Sequence, residues 1–389
     1  MGYQSEQKQK NLSLILQKIH TDHAISRIDI AKSLEVDRST VTGIIPGLIE
    51  IGLVVEKPQP PSGKEGRPPI LLEINPQYGC VIGIAIHFYT YAMSILDLQG
   101  KELFFKKDNI SAESTSFKEL GLVLLEEACE YAEKTLNTPV LGASFAISGI
   151  VDPEKNAVVK SFVFRLDNFQ FQQEIARHFP FPVVIENDAN ACAWGELFPR
   201  SDRASKKMGI KTSFLYLLAR TTKHSEETHS DSGIGVGMGV VTDGQVFYGS
   251  YNQAGELRSA FWRFNSSGGT QVAIRNDDLL RIHEDERVRR QFIEEILLNL
   301  IPVTSIFDIG AIIFGGDLKK YLDVVNNVIR TNLKYTYLNH PDCHLSLREP
   351  MRGSSEISAG AACLFLHTLF FQSTPHKRRI NWEHCLTIS

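Results

Sequence analysis

The chain has 389 residues, 43% of them apolar and 22% charged, with a net charge of −4. That is length enough for two or three domains and a sizeable core, and no overall basicity advertises nucleic acid. No run nears the roughly 18 consecutive apolar residues of a membrane-spanning helix, the start Met1 to Lys10 is too polar for a secretion signal, and the six cysteines form no C-x-x-C pair, so the expectation is a cytoplasmic protein with reduced thiols and no membrane contact.

Apolar positions at Leu12, Leu14, Ile15, Leu16 and Ile19 predict a helix over residues 5–20. A second helix is expected over Ile25–Leu34, with Ser26 as its N-cap and Asp29 three residues on. After the turn Glu35-Val36-Asp37, the stretch Arg38–Ile49 forms a third, apolar on Val41, Ile44, Ile45, Leu48 and Ile49, with Pro46 kinking it and Gly52 ending it. Two short helices joined by a tight turn form a helix-turn-helix signature. The first turn of the second helix offers Arg38, Ser39, Thr40 and Thr42 to bases and phosphates, and Arg27 adds a cation at the start of the first. Residues 1–75 carry nine Lys/Arg and nine Asp/Glu, so any DNA contact depends on locally placed charge.

Strands are expected at Leu53–Glu56 and Ile70–Ile74, and the long tip between them reads as the wing of a winged helix. In that tip Gly66-Arg67-Pro68 is similar to the core of an AT-hook, so Arg67, with Lys64 beside it, is a candidate for the minor groove. A flexible Pro-rich linker is the alternative.

From Gly79 the pattern is α/β. Strands are expected at 80–86, 91–98, 104–108 and 140–147, and helices at 116–135 and 171–179. The strand Val183-Val184-Ile185 then runs into Glu186-Asn187-Asp188-Ala189-Asn190-Ala191 and a helix of small residues. Polar groups at the carboxyl end of a strand, just before a helix, are where open α/β sheets place ligands; a helix-capping role is the alternative. Further on, strands are read at 213–219, 236–241 and 311–316, helices at about 270–283, 285–300, 318–335 and 354–370, and a mobile polar loop at Thr221–Ser232. The domains expected are 1–75 for DNA, 76–186 for a first lobe and 187–389 for a second, with the final helix returning toward the first lobe.

The stretch Ile185–Ala191 resembles the central motif of the ROK family, which holds bacterial sugar kinases and sugar-responsive repressors. Gly142–Asp152, Gly233–Gly239 and Gln253-Ala254-Gly255-Glu256-Leu257 fit the same pattern in order and spacing. The resemblance implies an N-terminal winged helix-turn-helix followed by a two-lobed actin-like, hexokinase-type ATPase fold. It also implies sugar contacts from Gly149, Asn187, Asp188, Gly235 and Glu256. Two departures stand out. Where the family's kinases carry Asp-x-Gly-Gly-Thr for phosphate, this chain has Ala85-Ile86-His87-Phe88-Tyr89. Side chains replace the glycines there, so ATP binding and kinase activity are not expected. Where the family has Gly-His and a cysteine cluster for zinc, Leu257 leads to Arg258-Ser259, leaving Ser259 in the imidazole's place, with no Cys or His over 260–273. The function expected is a dimeric transcriptional regulator of carbohydrate genes that binds operator DNA and a sugar or sugar-phosphate effector, with no metal and no cofactor. The alternative is a sugar kinase with an appended N-terminal domain.

Overall fold

The structure, a computed structural model, describes residues 3–58, 70–110, 116–198, 213–222, 233–262, 271–335, 337, 338, 340, 344–371, 380 and 382. The N-terminal module comprises α1 (Tyr3–Asp22), β1 (Ile25–Ser26), α2 (Arg27–Leu34), α3 (Arg38–Glu50), β2 (Val54–Pro58) and β3 (Ile70–Ile74). Its strands form a sheet in the order β1-β3-β2, the winged-helix arrangement. Ser26 caps α2 by accepting from the Asp29 N–H at 3.2 Å. Val41, Ile45 and Leu48 point inward from α3 at helical spacing and meet Ile15, Leu16 and Ile19 of α1 in one buried core. Burying each such side chain stabilises by about 1.5–3 kcal/mol relative to leaving it in water. Pro46 lies on the exposed side of α3, where its missing N–H does not interrupt this packing. Strand β1 is an addition to the expected pattern: Ile25 and Ser26 pair with Leu72 and Leu71 before the helix begins.

The first lobe is a mixed five-stranded sheet. It contains β4 (Cys80–Ile86), β5 (Thr90–Asp97), β6 (Glu102–Asn109), β7 (Val140–Ile147) and β11 (Val183–Asn187), in the order β11-β7-β4-β5-β6. Helix α4 (Phe117–Lys134) covers one face and starts with a full capping box from Ser116 and Glu119. Between β7 and β11 lies a small sheet that the sequence pattern does not reveal: β8 (Ile150–Asp152), β9 (Ala157–Ser161) and β10 (Leu166–Phe169). Its strands are too short for a periodicity to register. The expected helix at 171–179 is one turn, α5 (Phe171–Glu174), followed by a 3-10 turn.

Helix α6 (Asp188–Leu197) leads to the second lobe. There β12 (Phe214–Thr222), β13 (Gly233–Thr242), β14 (Gln245–Val246), β15 (Ala311–Gly316) and β16 (Ser346–Arg348) form a sheet in the order β14-β13-β12-β15-β16. The glycine-rich run 233–239 is the first part of β13, which begins three residues before the expected strand at 236–241. Thr221 and Thr222 belong to β12, and the rest of the expected polar loop, 223–232, falls outside the described residues. The helix expected at about 270–283 is short, α7 (Asn276–Leu279); α8 (Glu286–Ile306) is long; and the next is split into a 3-10 turn, α9 (Leu322–Thr331) and a second 3-10 turn.

The last helix, α10 (Glu356–Phe370), packs on the first lobe's sheet, as its small residues require. A Cβ on Gly83 of β4 would lie 1.8 Å from the Ser358 carbonyl oxygen, so only glycine admits the helix this closely. Helices α6 and α10 also pack on each other and form the spine between the sheets. Among the described residues no helix is long and apolar enough to cross a membrane.

Candidate functional site

The structure presents two candidate surfaces. On the N-terminal module, Arg38, Ser39 and Thr42 are exposed at the first turn of α3, and Thr40 is half-buried. The exposed row continues through Gly43, Pro46 and Gly47, and Gly43 and Gly47 have open space where a Cβ would be. The exposed polar side chains of this face are thus confined to the first turn of the helix, with a low, side-chain-poor surface behind them. Arg27 is engaged differently, donating to Glu56 of β2 at 2.8 Å in a solvent-accessible ion pair. Lys64 and Arg67 lie outside the described residues.

The second surface lies between the lobes, where β11 runs into α6. Asn187 is the N-cap of α6: its Oδ1 accepts from the N–H groups of Ala189 at 2.9 Å and Asn190 at 3.1 Å. Its Nδ2 donates to the Gly149 carbonyl at 2.9 Å. The side chain therefore welds the β7–β8 turn to the helix start, and the capping alternative holds for Asn187. Gly149 is required by shape, since at φ +153° a Cβ would sit 2.6 Å from the Lys160 carbonyl oxygen.

Asp188 is buried, and one of its carboxylate oxygens accepts from the Ala189 N–H at 2.9 Å. Burial raises its pKa, and the Arg220 charge on β12 partly opposes that. Glu256 approaches from the second lobe, bridged to Gly237 of β13. Its pKa is also raised, by desolvation first and then by the Asp188 charge, although the residue as a whole keeps solvent access. A Cβ on Gly237 would lie 3.9 Å from Asp188 Oδ1 and 3.2 Å from the Ala189 methyl, so the glycine keeps the ground between the two carboxylates clear. Gly235 is exposed, with nothing within 4 Å of a would-be Cβ. Asp188 and Glu256 thus face each other across Gly237, with the Asn187–Gly149 turn at the start of the same helix.

Ser259 stands apart from that set. It is buried, and its Oγ accepts from Asn299 of α8 at 3.2 Å and from the Phe261 N–H at 3.1 Å. It fastens the loop after Glu256 to α8. Among the described residues no group of three or more His, Cys, Asp or Glu side chains is placed to hold a metal ion.

The segment at Ala85–Tyr89 is a tight hairpin. The His87 N–H donates to the Thr90 carbonyl at 2.8 Å, and the Phe88 and Tyr89 rings meet edge-on at 4.3 Å. Burial, then Arg220, pushes the His87 pKa down to about 3, so its ring is neutral near pH 7. Glu356 at the start of α10 accepts from Tyr216 Oη and from the Gly316 N–H at 3.1 Å, and so fastens the end of β15.

Three groups that the sequence reading missed shape this region. Glu186 is fully buried and accepts from Tyr248 Oη at 2.6 Å and from the Asn187 N–H at 2.8 Å. Glu196, 2% exposed, pairs with Arg348 of β16 and accepts from the Met351 N–H at 2.8 Å. Arg220 ends the apolar strand Phe214–Ala219, a cation closing a buried run, and that was the one visible signal among the three.

The fold is a winged helix joined to a two-lobed α/β body of the actin-like, hexokinase type, with two carboxylates, Asp188 and Glu256, near each other where the lobes meet. The ROK family model matches residues 82–260. Among curated proteins it is 29% identical over 259 residues to a xylose repressor of Caldicellulosiruptor bescii, covering 66% of this chain and 60% of that one. It is 29% identical over 251 residues to the xylose repressor of Staphylococcus xylosus, covering 64% and 59%. It is 21% identical over 252 residues to the DNA-binding transcriptional dual regulator NagC of Escherichia coli, covering 64% and 57%. The chain thus spans about 60% of the length of these two xylose repressors. Among solved structures, a ROK family transcriptional regulator described as a homolog of the E. coli MLC protein superposes with a TM-score of 0.69 at 20% identity, over 92% of this chain and 96% of that one. A ROK hexokinase from Thermus thermophilus superposes with a TM-score of 0.51 at 20% identity, over 73% and 97%.

Proposed function

We propose that this protein is a sugar-responsive transcriptional repressor. The winged helix, residues 1–75, reads an operator through Arg38, Ser39, Thr40 and Thr42, with Lys64 and Arg67 in the wing. The lobes, 76–186 and 187–389, hold a sugar or sugar derivative at Gly149, Asn187, Asp188, Gly235 and Glu256. The observation that carries this reading is the union, in one chain, of an exposed Arg/Ser/Thr helix turn with the Asp188–Glu256 cleft. The repressor names of the similar proteins support it. A carboxylate pair suits a neutral polyol, because charged acceptors make the stronger hydrogen bonds to hydroxyls. Ser259 acts on the site through the loop it anchors.

The protein works as a cytoplasmic homodimer in this reading, since one helix-turn-helix buries too little surface for a selective site. Ligand and operator affinities are linked reciprocally through the lobes. Phosphoryl transfer is not part of the function, because the His87-Phe88-Tyr89 hairpin brings side chains where backbone N–H groups would have to approach a phosphate.

The test is a gel retardation assay at fixed salt on the promoter beside the gene, with and without a panel of sugars. A retarded band that one sugar releases is expected. Loss of the band for Arg38→Ala but not for wild type completes the case, and no retardation of any adjacent promoter defeats it. The rival reading, a sugar kinase with an appended module, takes support from the hexokinase likeness. It requires ATP-dependent phosphorylation that Asp188→Asn abolishes.

A further inference from the structure

We propose that Arg220 makes the interlobe cleft selective for a sugar bearing an anionic group, a phosphate ester or a carboxylate, over its neutral parent. The proposal deepens the repressor reading and rests on it for the cleft's being a sugar site.

The geometry of β12 carries it. Alternate residues of a strand face opposite sides. Phe214, Tyr216 and Leu218 enter the core shared with α6 and α10, whereas Leu215, Leu217 and Ala219 enter the core of the second lobe. Arg220 continues the first row and is half-buried where that row reaches the cleft. Its register partner on β13 is Gly235, above which there is open space, and the next glycine of the row, Gly237, lies under Asp188. The Arg220 charge reaches Asp188 from the second lobe and His87 from the first. Yet no carboxylate oxygen of the described residues comes within 4.0 Å of its guanidinium. Cation and carboxylate thus influence each other without an ion pair between them, so a single ligand can engage both.

The neighbouring charges do not cancel it. Asp317 pairs with Lys320 at 3.3 Å. Asp188 and Glu256 both have raised pKa values and so resist carrying two full charges together. His87 is neutral near pH 7. A guanidinium stays charged throughout, and its forked donors match two oxygens of a phosphate or carboxylate. Asp188 and Glu256 then accept from the hydroxyls of the same molecule.

The test is isothermal titration of the full chain with D-glucose, D-xylose, their monophosphates, D-glucuronate and inorganic phosphate alone. At least one anionic sugar should bind roughly tenfold or more tightly than its neutral parent. Arg220→Met should erase that ratio, and Arg220→Lys should restore part of it; a cooperative melt checks that both variants fold. Neutral parents binding as tightly as anionic ones, or a ratio unmoved in Arg220→Met, overturns the proposal and leaves the repressor reading intact. Inorganic phosphate binding as tightly as any sugar phosphate, with the same dependence on Arg220, overturns the sugar part. If no sugar of either kind binds, the effector half of the repressor reading falls together with it.

Discussion

The imidazole of His20, on the first helix of the N-terminal module, lies 4.1 Å from the ring of Phe370, at the end of the last helix of the body. Phe198 and Phe371 close around the same imidazole at 5.2 and 5.9 Å, and His20 Nε2 meets the Leu98 carbonyl at 3.2 Å. A carbonyl only accepts, so Nε2 carries the proton, and the buried Nδ1 has no hydrogen-bond partner among the described residues. The winged helix is therefore seated on the body through a neutral histidine, not swung from a linker. His367 continues the contact inward, stacked on Phe371 at 4.8 Å and 4.5 Å from the Trp194 ring.

That junction sets an acid limit on stability. Burial lowers the His20 pKa from 6.5 to about 3 and the His367 pKa from 6.5 to about 4. The folded state binds fewer protons than the unfolded chain between those values and 6.5, so stability falls as pH drops through that window. Each histidine costs about 1.4 kcal/mol per pH unit there, or about 3 kcal/mol between pH 6.5 and 4.5. Melting midpoints should decline below pH 6.5, and His20→Phe should flatten the decline. An equally steep slope in His20→Phe would show that the imidazole is not buried in the neutral form.

The cleft carboxylates behave in the opposite sense. A raised carboxylate pKa means that the folded state holds its proton more tightly, so stability falls as pH rises from the ordinary carboxylate range through the raised value. Asp188→Asn removes that term. Its melting midpoint at pH 8 should equal or exceed that of wild type, while binding of any effector weakens by about tenfold or more as a charged acceptor is lost. Loss of stability together with binding would make Asp188 a structural acceptor only.

Much of this architecture could be read from residue pattern. The inward row Val41, Ile45 and Leu48, the Ser26 cap and the Asn187-Asp188 step at a strand end are local signals, and each appears where expected. What could not be read was set by partners distant in sequence. Ser259 resembles a displaced ligand residue until Asn299 is seen to hold it. The glycines of 233–239 have no visible purpose until α6 is found lying against Gly237 and Gly239, which is why that face of the strand lacks side chains. Glu196 carries no local signal of its role, because its partner Arg348 lies 152 positions later.

That Glu196–Arg348 pair joins α6 to the far edge of the second lobe, and Glu196 is 2% exposed against 25% for the Arg348 side chain. Removing one partner of a buried pair strands the other charge and typically costs about 3–5 kcal/mol. Arg348 keeps some solvent, so Glu196→Gln should cost toward the low end, about 3 kcal/mol, read from denaturant midpoints. Glu196→Met with Arg348→Met should recover part of that loss. A double variant no more stable than either single one would mean that the pair acts through the Met351 N–H bond instead.

The reading surface of α3 permits the sharpest separation of roles. Arg38, Ser39 and Thr42 are exposed on one turn, whereas Arg27 spends its guanidinium on Glu56. A base-edge contact is worth about 1–3 kcal/mol of discrimination, and a phosphate contact weakens all sequences alike. Arg38→Ala should therefore cost roughly tenfold or more in operator affinity and relax sequence preference. Arg27→Ala should change operator affinity little, since an exposed ion pair contributes about 0–1 kcal/mol and that charge is already engaged. Fluorescence anisotropy at two salt concentrations distinguishes the cases. An Arg27→Ala loss as large as that of Arg38→Ala would move the DNA-facing surface from the start of α3 to the α2–β2 edge.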